Sequence, residues 1–310
     1  MEYKLCPAAL NLVLNKTVKA EKTFREAVCD DRLNNGTKSI KVCCSMLQEH
    51  AVDVQKFNVL PDQCGEIRED RLFRGPVVNL FDYEWLAVFN KSNGHGHCTG
   101  SIITPRYILT AASCVKDTNI TTVRIGEYDL STDMDCVEDG GTYCTSGHTD
   151  MIVEKVIPHE GFRFHQLGHD IALIRLKSSI NLKSGDALCL PKSPAPHDSD
   201  WFNNLALTVG WGAHNTVPLK SYLRGFNDTT CNDFYKRYPD LRNKTFCARD
   251  LYDNTNLDPG SPLLTVSTYG QIPIHVQYGI LSQEVGKQHY IYTNVNKYMA
   301  WILKTLRELD

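Results

Sequence analysis

The sequence predicts an all-β fold closed by a carboxyl-terminal helix, on three observations. From Trp85 onward, short β-type runs alternate with turn residues, as in Thr122-Val123-Arg124-Ile125-Gly126, Met151 to Ile157 and Leu205 to Gly212. Many short strands separated by turn signals mark a sandwich or barrel. The last segment breaks that rhythm. Val295, Met299, Ile302, Leu303 and Leu306 fall at helical spacing and give an amphipathic helix over Val295 to Leu309. Twelve cysteines are spread along the 310 residues without paired C-x-x-C spacing, which points to disulfides rather than zinc.

A chain of this length buries a substantial core without staples, so the cysteines speak for an oxidising compartment rather than for a need of size. Six Asn-x-Ser/Thr sequons, at Asn15, Asn35, Asn90, Asn119, Asn227 and Asn243, agree with secretion. The net charge of −3 gives no reason to expect nucleic acid or an acidic membrane as partner, and no apolar run is long enough to span a bilayer. The early apolar stretch Ala8 to Leu14 is short, interrupted by Asn11 and followed by no small-residue cleavage site. An extracellular chain whose natural amino terminus lies upstream is expected.

In order along the chain, residues 1 to 45 form a cysteine-rich unit with Cys6, Cys29, Cys43 and Cys44. Residues 46 to 71 are polar and charged without a clear period and read as a linker holding Cys64. The next organised stretch is Cys98 to Cys114. Ile102, Ile103, Tyr107, Ile108 and Leu109 are strand-type residues broken at Pro105, as in two strands of a hairpin with an irregular corner.

Directly after the second of these strands, Thr110-Ala111-Ala112-Ser113-Cys114 resembles the segment of the trypsin-like serine peptidases in which a histidine stands between the Ala-Ala pair and the cysteine. Ser113 holds that position here. An imidazole takes a proton from a serine hydroxyl and returns it to a leaving amine; a serine hydroxyl does not. The resemblance runs from Leu72 to Asp310 and implies a double six-stranded antiparallel β-barrel with a carboxyl-terminal helix. Lys41-Val42-Cys43-Cys44 is similar to the end of the clip domain found ahead of arthropod haemolymph proteases. That likeness implies a truncated, disulfide-rich clip domain in which Cys6 pairs with Cys44, while Cys29 and Cys43 are left without partners.

The same family implies a Cys64–Cys189 bridge holding the front domain, the local bridges Cys98–Cys114 and Cys231–Cys247, and an extra loop bridge Cys136–Cys144. A cysteine pair beside the specificity pocket is absent, with Thr255 at one of its places. Arg71-Leu72 stands where the family is cut, and Asp258 where the freed amine is received. The cleft positions are altered. Asp170 matches the aspartate that orients the histidine. The nucleophile segment is Leu257-Asp258-Pro259-Gly260-Ser261-Pro262-Leu263, with Pro259 for the serine. Proline has neither a hydroxyl nor a backbone N–H, so an oxyanion donor is lost with the nucleophile. Leu257 stands for the glycine of the other donor, where a φ above zero is unfavourable. Asp253 holds the place of the acid that reads arginine or lysine. Gln283 in the lining strand and Tyr290 on the wall predict a plugged or displaced pocket.

Three weaker features have plain alternatives. His95-Gly96-His97 is half a metal site or a solvated hairpin turn. Ser261 is a displaced nucleophile only if some other base serves it. The acidic loop with Glu127, Asp129, Asp133, Asp135, Glu138 and Asp139 binds calcium or is a solvated turn. Otherwise no cofactor or metal is expected. The functional expectation is a non-catalytic serine protease homologue, acting as an extracellular adaptor in a melanisation-type innate-immune cascade. Its implied partners are an activating protease, prophenoloxidase or a microbial surface, with cleavage at Arg71 as a switch. The alternatives are a serine endopeptidase of trypsin-like fold using atypical catalytic residues, and a decayed product without function.

Overall fold

The computed structural model describes short backbone segments before residue 43, and residues 59–67, 77–90, 97–138, 141–164, 168–183, 185–191, 205–212, 215–225, 228–251, 257–269 and 272–309. Cys6, Cys43, Cys44, Asn15, Asn35, Arg71, Leu72, His95, Asp139, Asn227, Asp253 and Thr255 lie outside the described residues, as do the side chains of Cys29 and Asn90.

The chain divides into two compact units, Met1–Val59 with Leu309–Asp310, and Leu60–Glu308. In the first, β1 (Val28–Asp30) pairs antiparallel with β4 (Lys41–Val42), and β2 (Leu33–Asn34) with β3 (Thr37–Lys38).

The second unit holds two closed six-stranded barrels. The first is built from β5 (Leu86–Asn90), β6 (His97–Thr104), β7 (Tyr107–Thr110), β8 (Thr122–Ile125), β11 (Thr149–Pro158) and β12 (Ala172–Leu176). Between β8 and β11 a small hairpin, β9 (Cys136–Glu138) with β10 (Thr142–Cys144), carries the Cys136–Cys144 bridge. The second barrel comprises β13 (Leu205–Gly210), β14 (Leu219–Gly225), β15 (Thr245–Asp250), β16 (Pro262–Tyr269), β17 (Ile272–Gly286) and β18 (His289–Asn294). Closure leaves no sheet edge in either barrel, which removes the unpaired backbone groups an open sheet exposes.

Local chemistry explains the corners. Pro105 cannot donate to the ladder, and the Thr104 hydroxyl accepts from the Arg106 and Tyr107 amides at 3.3 and 3.1 Å, turning β6 into β7. All four residues of β7 are buried. Helix α1 (Ala112–Val115) comes next, and Cys98–Cys114 ties it back to β6.

Helix α2 (Thr229–Arg237) begins on Asp228, whose side chain accepts from the Cys231 amide at 3.0 Å, and ends on Lys236 and Arg237 beside its negative pole. Cys231–Cys247 pins it to β15. Helix α3 (Val295–Leu309) buries the predicted stripe and, with it, Tyr298.

Within the expected linker, the described residues 59–67 pack against the barrel unit. Leu60 and Cys64 are buried, and Gly65 N donates to Ala187 O while His275 N donates to Gly65 O, both at 2.7 Å. Cys64 is bridged to Cys189 between the barrels.

Candidate functional site

Asp170 lies at the seam of the two barrels, 2% exposed. Its Oδ1 accepts from the Ser113 amide at 2.7 Å, and its Oδ2 from the Ser113 hydroxyl at 3.0 Å and the Ser282 hydroxyl at 2.6 Å. Its carbonyl accepts from the Thr293 hydroxyl at 2.8 Å. The carboxyl is therefore held by serines from α1 and β17. Burial pushes it above the usual carboxylate range, against the pull of the Ser282 and Ser113 donors. Among the described residues this cluster has no imidazole to carry a proton between a nucleophile and a leaving amine.

The raised value has a sign that can be read in stability. The Asp170 contribution is fully present below its ordinary value of 3.8 and is lost as pH rises through the folded value, so the ionised form costs stability at neutral pH. In Asp170→Asn, the amide oxygen still accepts from Ser113 N–H and the amide nitrogen donates to the two hydroxyls. The melting temperature of Asp170→Asn relative to the parent is expected to rise between pH 4 and pH 7. A difference that stays flat or falls over that range would contradict this account.

The loop from Leu257 to Ser261 stands against this cluster. Pro259 offers only its carbonyl, which accepts from the Thr99 amide at 3.1 Å. Leu257 does not take a positive φ, and its side chain packs against the core that includes Phe246, Leu281, Tyr290 and Tyr292. Asp258 is 2% exposed; burial raises its carboxyl, opposed by donors from Gly212 and Thr99. The Ser261 hydroxyl is fully buried without a hydrogen-bond partner, and a Cβ on Gly210 would fall 2.5 Å from it. No substrate carbonyl reaches a hydroxyl so enclosed.

The two strands expected to line a specificity pocket, β17 and β18, pair with each other. Gln283 faces Ile291, Glu284 faces Tyr290 and Gly286 faces His289, leaving only Lys287 and Gln288 to turn the chain. Tyr290 is buried, Gln283 half-buried. The hairpin tip is fastened. His289 Nε2 meets Asp228 Oδ2 at 2.5 Å, Asp250 N donates to Gln288 O at 2.9 Å, and Gln288 takes the left-handed φ of 67°.

The described acids of the acidic loop are engaged by protein donors. Glu127 is occupied by Arg124 at 3.2 Å and His148 at 3.4 Å. Asp129 accepts from the Ser131 amide and hydroxyl, Asp135 from the Thr132 hydroxyl and the Asp129 amide, and Glu138 from the Thr142 hydroxyl. Among the described residues these carboxylates do not gather around one point, and an arginine stands where a cation would need room, so the arrangement does not fit calcium. The one triad of potential ligands among the described residues is Asp228, Cys231 and His289, and the Cys231 sulfur is already bonded to Cys247. His97 pairs with Asn90 in the β5–β6 ladder.

Thr99, Ser282 and the Asp228–His289 pair belong to the site without being marked in the sequence. Ser282 is visible there only as part of a pocket strand, because its partner is 112 residues away, and Thr99 lies 159 residues from Asp258. Asp228 alone carries a local signal, as a capping residue ahead of a helix.

The Trypsin family profile matches residues 77–302. The chain is 31% identical to Phenoloxidase-activating factor 3 of Holotrichia diomphalia over 291 residues, covering 86% of this chain and 80% of that protein. It is 32% identical to Melanization protease 1 of Drosophila melanogaster over 281 residues, 81% of this chain and 70% of the relative. The crystal structure of the Drosophila Grass clip serine protease of the Toll pathway superposes with a TM-score of 0.71 at 24% identity, covering 99% of this chain and 94% of the other, a likeness of fold.

Proposed function

Because the chain belongs to the trypsin family, with insect clip-domain serine proteases among its relatives, we propose that it is a non-catalytic homologue acting as an adaptor or cofactor in an extracellular protease cascade of the melanisation type. The observation that carries this is Pro259 at the position that resembles the nucleophile's, together with an Asp170 carboxylate whose side-chain partners are Ser113 and Ser282. Loss of the base and loss of the attacking oxygen each remove several orders of magnitude in rate, and they coincide at one centre. An extracellular setting agrees with four disulfides in the barrel unit and with exposed sequon asparagines at Asn119 and Asn243.

The expected result is no turnover of arginine, lysine, aromatic or aliphatic ester substrates and no labelling by a fluorophosphonate probe, before or after cleavage at Arg71. Labelling of Ser261, or hydrolysis above that of a Pro259→Ala variant, defeats the non-catalytic reading. For the cascade role, the protein is added to purified prophenoloxidase and its activating protease. Phenoloxidase activity is expected to change with its dose, and an unchanged yield removes the melanisation assignment.

A further inference from the structure

Asp258 is held by donors of the barrel unit. Its Oδ2 accepts from the Thr99 hydroxyl at 3.1 Å and from the Gly212 amide at 2.8 Å. Thr99 is itself fixed. Its amide donates to Pro259 O at 3.1 Å, and its carbonyl accepts from the Thr110 hydroxyl at 2.8 Å. One residue of β6 in the first barrel thus grips two successive residues of a loop in the second.

The loop that carries Asp258 is packed closely against β6 and β7. A Cβ on Gly260 would stand 2.0 Å from Thr99 O and 2.5 Å from the Thr110 hydroxyl; one on Gly210 would stand 3.4 Å from Asp258 Oδ2. An ammonium arriving at Oδ2 would have to compete with the Thr99 hydroxyl and the Gly212 amide and shed its own water.

We infer that the Thr99 hydroxyl locks Asp258 and holds the Leu257–Pro262 loop, already in the uncut chain, in an arrangement that cleavage after Arg71 leaves unchanged. Thr99 is a positioning residue, acting through Asp258. The barrel unit is then a constitutive binding surface, and any effect of cleavage lies in the front segment. This goes beyond the proposed loss of catalysis and is read independently of it, because the measurement is structural.

Residues 67–71 read Ile-Arg-Glu-Asp-Arg, so Arg68→Ile with Asp70→Gly creates the Ile-Glu-Gly-Arg sequence cut by factor Xa and makes Leu72 the first residue after cleavage. Hydrogen–deuterium exchange of the full chain is followed in peptides covering 205–212 and 257–264. Cut and uncut forms are expected to exchange within about twofold of each other. In the uncut chain, Thr99→Val should speed exchange in both peptides about tenfold, while Thr99→Ser, which keeps the hydroxyl, matches the parent. A tenfold gain of protection on cutting overturns the inference, as does a Thr99→Val chain that exchanges like the parent. Should Thr99→Val fail to fold, the cut and uncut comparison still decides.

Discussion

Replacing both Cys64 and Cys189 by serine is expected to cost about 5 kcal/mol, the largest effect of any bridge in the barrel unit. The bond spans a sequence separation of 125 residues, against 16 for Cys98–Cys114 and Cys231–Cys247 and 8 for Cys136–Cys144. In the chain-entropy account, the closed loop restricts the unfolded chain more as it lengthens, and the shortest of these loops is worth only about 2.5 kcal/mol. The native surroundings add to the contrast. Cys64 and Cys189 pack with Val276 and Ile274, and Gln277 N donates to Cys189 O at 2.9 Å, whereas Cys136 and Cys144 are exposed. At about 2 to 4 °C per kcal/mol for a unit of this size, the melting temperature should fall by roughly 10 to 20 °C, and by no more than about half as much for Cys136→Ser with Cys144→Ser. Equal losses would show that loop length does not govern these bridges. After cleavage at Arg71 the same bond should keep the front fragment attached until a reductant is added.

Elements set by neighbours along the chain are legible in the sequence; those set by distant partners are not. The α3 stripe and the β6–β7 hairpin rest on spacing within a dozen residues, so periodicity and Pro105 suffice. Ser113 and Pro259 are legible by resemblance, because they break short motifs. The roles of Ser282 and Thr99 are hidden, since each is defined by a hydrogen bond to a residue more than a hundred positions away. Residues 59–67 read as linker because their composition is polar, yet Leu60 and Cys64 are buried, and Cys64 and Gly65 are joined to Cys189 and Ala187. Helix α2 escapes a reading by propensity because Thr229-Thr230-Cys231-Asn232-Asp233 is poor in helix formers; its stability comes from the Asp228 cap and the Cys231–Cys247 bond. The β17–β18 hairpin is readable only in part. Tyr290 suggests a plug, but the two-residue turn that lets β17 and β18 pair to their ends is a property of both strands together.

On the non-catalytic reading proposed above, Ser113, Ser282, Leu257 and Thr99 serve structure at the cleft. Asp170 ties three segments by hydroxyl and amide donors, and Leu257 adds apolar contact to the core beside Tyr290. A site that lost only its chemistry would leave buried acids without donors, at a cost of several kcal/mol each. Here the donors are supplied by Ser113, Ser282 and Thr99. The cleft is therefore organised as a joint between the barrels.

Gly260→Ala tests that joint at its tightest point. Gly260 has φ of 89°, and a Cβ there would meet Thr99 O at 2.0 Å, so the strand and the loop would have to part. Relaxation is opposed on both sides. Pro259 fixes its own φ and restricts Asp258 before it, while Gly260 N donates to Leu281 O at 2.8 Å and Ser261 N to Asp258 O at 3.1 Å. The expected loss is about 3 to 5 kcal/mol, or roughly 10 °C in melting temperature. Gly126→Ala is the control. Its φ is 66°, but the nearest atom to its Cβ is 3.8 Å away, so only the left-handed backbone is penalised, at about 1 to 2 kcal/mol. If the two variants lose the same stability, the contact between Thr99 and the loop is not what makes this position intolerant. A larger loss in Gly260→Ala, reversed in part by Thr110→Ala, which removes the hydroxyl 2.5 Å from the added Cβ, assigns the cost to the barrel-to-barrel contact.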